Sequence, residues 1–368
     1  MNRAAAAAFL AVLTTACGGE GRVDAGLPEG ALVYGSRVAV ERLLECASQF
    51  RGSVVAERAM AKRAEIGTCA FVSAAAPSAS EAFENLSCAS DGHPLASRGE
   101  AGAIAFALPT AEGRRAVGTL RVASDGRFTG QALVDSDPEG SASDLFVGGG
   151  DPGPAVLNDD EAFFHVRLKP SGGIDLASLT PPESQASKMF RLRNSLFAGA
   201  LFDATWEAAL YLSEPDHSAP RMSAALGIRS RDAARAAMES FVTDVQSQWD
   251  VTRTDFSALG FTGACFRDLN LLPRLAPCYV VTDRALVLGW DSGSVEHALA
   301  RNGASVQGFV LDASALTAAD ARIAEAETRR GRTPGDAPID YPWGRIRASG
   351  EREGRRVRWT FESSGGCR

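Results

Sequence analysis

The chain has 368 residues, of which 45% are apolar and 23% charged, and its formal net charge is −7. These are the proportions of a globular chain with a core to bury, which excludes global disorder, and the length fits two domains or two related halves. The negative charge argues against nucleic acid or an anionic membrane surface as a partner, since both would repel it.

Met1-Asn2-Arg3 supplies a short positive segment, Ala4 to Leu13 an apolar core, and Thr14-Thr15-Ala16 a run of small residues ahead of Cys17. This is the layout of a secretory signal over residues 1–16. The apolar core is too short to span a bilayer, which takes about 20 apolar residues for roughly 30 Å of hydrocarbon, and no other stretch of the chain offers such a run. Ending in cysteine, the segment resembles the lipobox of bacterial lipoproteins, with Thr14 standing where that family has Leu. The resemblance implies that Cys17 is acylated on sulfur and becomes the new N-terminus, which makes the membrane a partner through that lipid. Gly18, in place of an Asp, implies the outer membrane, on its periplasmic face or at the cell surface. Residues 17–30, with Gly18-Gly19-Glu20-Gly21, read as a flexible tether.

Beyond the tether, the pattern predicts an α+β fold in which antiparallel sheets are covered by helices. In an N-terminal half, 31–134, Ala31 to Tyr34 reads as a strand, and Ser36 caps a helix carrying Val40, Leu43, Leu44 and Ala47 at helical spacing. Thr68 to Ser73 reads as a strand. Ser78-Ala79-Ser80-Glu81 is a capping box for a helix with Ala79, Ala82, Phe83 and Leu86 on one face. Ala103 to Leu108 is a strand, and Val117 to Ala123 and Arg127 to Val134 form a hairpin about Ser124-Asp125-Gly126. The Gly-, Pro-, Ser- and Asp-rich residues 135–160 read as a linker.

In a C-terminal half, 161–368, Ala162 to Leu168 is a strand, and Thr180-Pro181-Pro182-Glu183 opens a helix. Trp206 to Leu212 and Met222 to Ile228 read as adjacent antiparallel strands, followed by a helix from Ser230 with Met238, Phe241, Val242, Val245 and Trp249 on one face. Tyr279 to Val281 and Ala285 to Trp290 form a hairpin, and Gly308 to Leu311, Gly344 to Ala348 and Arg355 to Phe361 are strands. Gly118 to Ala123 and Gly344 to Ser349 share a pattern, and each leads through a polar turn into a last strand, which suggests two related halves, each with its own sheet. The stretch from Cys278 to Ala300 loosely resembles exported bacterial proteins with repeated sheet-and-helix units, a resemblance that implies no activity.

Cys17 aside, the chain carries six cysteines, an even number suited to an oxidising compartment. Cys265 and Cys278 bracket a loop that a disulfide closes readily, which makes them the first candidate pair. Cys69 and Cys88 are the second, leaving Cys46 with Cys367. The absence of Cys-x-x-Cys argues against a zinc site.

No catalytic or cofactor signature is present, so no cofactor is expected. Gly148-Gly149-Gly150-Asp151-Pro152-Gly153 has the letters of a dinucleotide loop, but Pro152 and Pro154 forbid the helix that must follow. Asp135, Asp137 and Glu139 alternate as in a calcium loop, but Phe146 occupies the position of the bidentate Glu. His93, His165, His217 and His297 fall in no metal or triad motif. The expectation is a membrane-anchored lipoprotein with a non-catalytic binding or envelope-structural role and a protein or hydrophobic-ligand partner. The alternatives are a carrier holding a lipid or small hydrophobic ligand in a sheet-lined cavity, and a hydrolase assembled from distant residues.

Overall fold

The structure is a computed structural model. It describes residues 33–35, 37–48, 71–73, 86–88, 103–109, 115–135, 153–158, 162–169, 202–212, 220–248, 250–267, 276–299, 308–329 and 343–366, together with the single positions 61 and 331. The chain forms two compact units. Strands β1 (Val33–Gly35), β2 (Phe71–Ser73), β3 (Leu86–Cys88), β4 (Ala103–Pro109), β5 (Arg115–Val122), β6 (Phe128–Asp135), β14 (Gly308–Asp312), β15 (Arg345–Glu353) and β16 (Arg356–Ser363) belong to the first. Strands β7 (Ala162–Leu168), β8 (Phe202–Tyr211), β9 (Arg221–Ile228), β10 (Thr252–Ala258), β11 (Phe261–Arg267), β12 (Cys278–Val281) and β13 (Ala285–Gly289) belong to the second. The expected α+β architecture is therefore corrected to a mainly-β one. Antiparallel sheet dominates, and the described helices number four: α1 (Arg37–Ser48), α2 (Arg231–Gln248), α3 (Ser292–Leu299) and α4 (Ala313–Arg329).

In the first unit the strand order is β14-β15-β16-β6-β5-β4-β1-β2-β3. Alternation sets its two faces, because successive side chains on a strand point to opposite sides. Val122, Phe128, Ala132, Val134, Ile346, Ala348, Val357 and Trp359 are buried, while Arg347, Glu351, Arg358 and Thr360 between them are exposed. The β5–β6 hairpin turns at Asp125-Gly126, held by Gly126 N–H donating to Ala123 O at 3.0 Å and by Asp125 accepting from Arg127 N at 3.2 Å. Helix α1 buries Ala39 and Cys46, and Arg42 reaches Val122 O at 3.4 Å. The shared strand pattern falls in β5 and β15, which flank β6 and β16 in one sheet, so it does not mark the ends of two separate sheets. Leu86, expected on a helix, lies instead in β3, where Phe71 pairs with Cys88 and Ser73 with Leu86. The rest of that helix and the one opening at Thr180 lie outside the described residues.

In the second unit the order is β10-β11-β12-β13-β9-β8-β7. Its middle strands carry uninterrupted apolar runs, Cys278-Tyr279-Val280-Val281 and Ala285 to Leu288, so both faces need cover. One face packs Cys278, Val280, Ala285 and Val287 against Val295 and Ala298 of α3. The other packs Tyr279, Val281 and Leu286 against Ala234, Met238, Val242 and Val245 of α2. Each helix starts where its cap dictates. Ser230 Oγ accepts from Ala233 N at 3.3 Å, and Asp291 Oδ1 accepts from Ser294 N at 2.6 Å.

Part of the expected linker is well buried among the described residues. Ala155, Leu157 and Asn158 are buried, and a carboxylate holds the segment in place. Glu207, on β8, accepts from Val156 N at 3.0 Å and from Leu157 N at 2.9 Å. Arg167 Nε stands 3.1 Å from Glu207, and His165 Nε2 3.6 Å. Tyr211 donates to Asn158 O at 2.7 Å, and Asn158 N donates to Ala298 O at the end of α3.

Candidate functional site

The β10–β11 hairpin places the site. Its two-residue turn has positive φ at both positions, 49° at Leu259 and 84° at Gly260, the conformation that matches the twist of the flanking strands and for which glycine is suited. Period-2 alternation then sets Arg253, Asp255 and Ser257 of β10 on one face, with Thr262 of β11 and Tyr279 of β12 in register beside them. From above, α2 contributes Arg235, Met238 and Glu239, which lie within four residues and so on adjoining parts of one helix face. Together these side chains line a cleft of about 500 Å³.

Its charged groups are held by one another. Glu239 is gripped by Arg253 in a two-pronged pair, Nη1 to Oε2 at 2.7 Å and Nη2 to Oε1 at 3.0 Å. That hydrogen-bonded pairing holds the Arg253 guanidinium above its ordinary pKa. Asp255, which is 92% exposed, lies 3.4 Å from Arg253 Nε. Arg235 donates to Thr262 Oγ1 at 3.0 Å. The helix is thus tied to both strands of the hairpin.

Tyr279 stands out among the lining residues. The residue is only 3% exposed, and its hydroxyl has no hydrogen-bond partner among the described residues. Burial raises the phenol above its ordinary pKa, and the Glu239 carboxylate adds to that. The group therefore stays neutral and keeps its proton to donate. Stacked against Phe266 at 6.1 Å, the ring itself is well packed.

The residues singled out in the sequence lie elsewhere. Cys265 and Cys278 form a disulfide, and they do so as directly opposed residues on β11 and β12, with Cα atoms 4.0 Å apart. The bond sits on the α3 side of the sheet, opposite the cleft. Cys46 is also disulfide-bonded, and its Sγ lies 3.8 Å from Gly126 O. Cys17, Cys69, Cys367, Asp137, Glu139, His93 and His217 lie outside the described residues, as do the side chains of Cys88 and Asp135.

His165 is fully enclosed beside Glu207, and His297 packs edge-on against Tyr211 at 4.6 Å. Among the described residues no group of three His, Cys, Asp or Glu side chains could hold a metal ion, and no helix is long and apolar enough to cross a membrane. No protein-family model, curated protein or solved structure matches the chain. Its own residues carry the functional reading.

Proposed function

We propose that the chain is an exported envelope lipoprotein, anchored through a lipid on Cys17, whose task is to bind a partner rather than to transform one. The observation that carries this reading is the Cys265–Cys278 disulfide, with Cys46 bonded as well. Structural disulfides persist in oxidising compartments outside the cytoplasm, the destination that the leader over residues 1–16 encodes. Binding is favoured over catalysis because Arg253 holds both oxygens of Glu239, one of the two carboxylates in the cleft, which leaves that carboxylate engaged in a pair rather than free as a general base. A hydrophobic carrier is a poorer fit, since Arg235, Glu239, Arg253 and Asp255 wall that cleft.

The same reading completes the bond of Cys46. Gly366 packs so closely on the turn Asp125 to Arg127 that a side chain at that position would overlap Asp125 O. Cys46 Sγ approaches Gly126 in that same turn. Cys367, the next residue along, is the partner we assign to it.

Fractionation tests the anchor. Wild-type protein is expected with the membranes and released by detergent, and Cys17→Ser is expected in the soluble exported fraction. Unchanged partitioning of the variant overturns the lipid anchor, and retention of either protein in the cytoplasm with its thiols reduced overturns export.

A further inference from the structure

We infer that strand β10 is an assembly edge: it pairs antiparallel with β10 of a second copy of this chain, in the register that sets Arg253 of each copy opposite Asp255 of the other. This surface is separate from the lipid anchor, and its pairing holds with or without it.

The backbone of β10 is half used. Among the described residues of the second unit it is hydrogen-bonded to β11 alone. The two-residue turn makes Ala258 and Phe261 the closing hydrogen-bonded pair, so Phe256, Thr254 and Thr252, at every second position, also turn their N–H and C=O groups toward β11. The bond from Phe266 N–H to Pro277 O, on the far side of β11, agrees with that alternation. Arg253, Asp255 and Ser257 therefore aim their backbone donors and acceptors at the open edge.

Nothing in β10 blunts that edge. Proteins ordinarily protect an edge strand with lysine, proline, a bulge or shortness. Thr252–Ala258 is seven residues long, contains neither lysine nor proline, and keeps an unbroken register with β11. Thr254, Asp255 and Ser257 are exposed, the Asp255 side chain to 92%.

Charge selects the occupant. In a two-fold antiparallel pair, residues whose backbone points outward must meet others that do, so the axis falls on a residue and not between two. An axis at Arg253 sets Arg253 against itself, and one at Asp255 sets Asp255 against itself, like charges that repel across a ladder. An axis at Thr254 brings Arg253 opposite Asp255 twice, and each of those pairs exchanges two backbone hydrogen bonds. No other axis pairs both charges. Arg253 keeps its two-pronged grip on Glu239 through Nη1 and Nη2, which leaves Nε, 3.4 Å from Asp255 of its own strand, as the donor for the incoming carboxylate. Backbone bonds thus supply the attraction and the two charges the choice of partner and register.

The helices leave room for a second copy. α2 packs on Tyr279 and Val281 of β12, two strands in from the edge. With strands about 4.8 Å apart, β12 of one copy lies five spacings, about 24 Å, from β12 of the other, well beyond the roughly 8–10 Å at which helices pack.

The test uses the full chain in a detergent matched to the solvent density, so that sedimentation equilibrium reads protein mass alone. A second sample carries p-benzoylphenylalanine in place of Thr254, to photo-crosslink whatever lies across the axis. Wild type is expected to be half dimeric at or below about 100 µM, the weak range of small interfaces. The crosslinked product is expected at twice the chain mass, joined to residues 252–256 of the second copy. Asp255→Pro removes an outward N–H without touching the ladder to β11, and should weaken the dimer about tenfold or more. Asp255→Lys sets lysine against Arg253 of the second copy and should do the same. Its exposed side chain leaves the fold intact even if the proline does not, as the thermal midpoint of dilute monomer would show.

Any of three results overturns the pairing: wild type that stays monomeric up to about 1 mM; crosslinks that join position 254 to another polypeptide or to residues of the second copy outside 252–256; or Asp255→Lys, folded, dimerising with wild-type affinity. Membrane release of Cys17→Ser is read independently of all three, so the edge and the anchor fail separately.

Discussion

The two units use the same antiparallel hydrogen bonding and reach opposite solutions for their faces. In β15 and β16 of the first unit, buried Ile346, Ala348, Val357 and Trp359 alternate with exposed polar groups, and the outer face carries Arg358 paired with Glu353 at 2.9 Å and Ser349 with Thr360 at 2.6 Å. In β12 and β13 of the second unit there is almost no alternation, and a helix lies on each side. A sheet covered on one side can solvate its other face with ordinary polar residues. A sheet covered on both must end its cover somewhere, and the cleft lies between α2 and the edge strands β10 and β11.

If this contrast is right, the two sheets respond differently to substitution. The largest effect is expected at Glu207. Glu207→Ala removes the buried carboxylate 3.1 Å from Arg167 Nε and the acceptor of two backbone N–H groups, so urea unfolding should show a loss of about 3–5 kcal/mol. A loss below about 1 kcal/mol would mean that residues 155–158 are not held by this carboxylate.

Next comes Leu286→Ala, on the doubly covered strand β13. It is expected to cost about 2–5 kcal/mol by the same measurement, through lost burial and the cavity left behind. Replacing both Cys265 and Cys278 by Ser should cost about 3 kcal/mol, the loop-closure value for a sequence separation of 13, measured against the reduced wild type as well as the oxidised one.

Tyr279→Phe has the opposite sign, a gain of about 1 kcal/mol from removing an unpaired buried hydroxyl. Its pH dependence sharpens the point. The folded-state phenol is raised above its ordinary pKa, so its contribution is complete below about pH 10, where tyrosine ionises in the unfolded chain, and is lost as pH rises toward the folded value. The variant should lack that part of the alkaline decline in a pH series of unfolding curves. Smallest of all is Arg358→Ala on the solvated face, expected to change stability by less than about 0.5 kcal/mol despite its ion pair. A cost comparable to that of Leu286→Ala would erase the distinction between the sheets.

Much of the strand layout was readable because alternation and turn chemistry agree. Ala162–Leu168 is both the expected strand and the observed one, and the hairpin about Asp125-Gly126 carries its turn in its letters. The β10–β11 hairpin was harder to see. Thr252 to Ala258 is largely exposed and polar, and Leu259-Gly260 is a less familiar turn pair than Asn-Gly. Helix α4 was missed because Ala313–Arg329 is rich in alanine, which gives weak periodic contrast although Asp312 caps it by accepting from Ala315 N at 2.9 Å.

Residues 135–160 read as a linker from composition alone. Glu207, which fixes their buried part, lies some fifty residues further along. The Cys265–Cys278 bond was expected for its short loop, whereas its geometry comes from cross-strand register. The cleft had no linear signature at all. Arg235, Glu239, Arg253 and Asp255 are ordinary surface letters, and Tyr279 sits in an apolar run that announces only a core strand.

The pairing of β6 with β16 bears on the order in which the protein can be assembled. Phe128 N–H donates to Ser363 Oγ across 235 residues of sequence, and Val134 faces Val357 in the same ladder. The seven described strands of the second unit all come from between those partners, so their pairings can close before the end of the chain is available. The first sheet has to wait, with β4, β5 and β6 presenting an open edge at β6 until β16 arrives to cover it. A chaperone that recognises unpaired strands would find its longest-lived target at that edge.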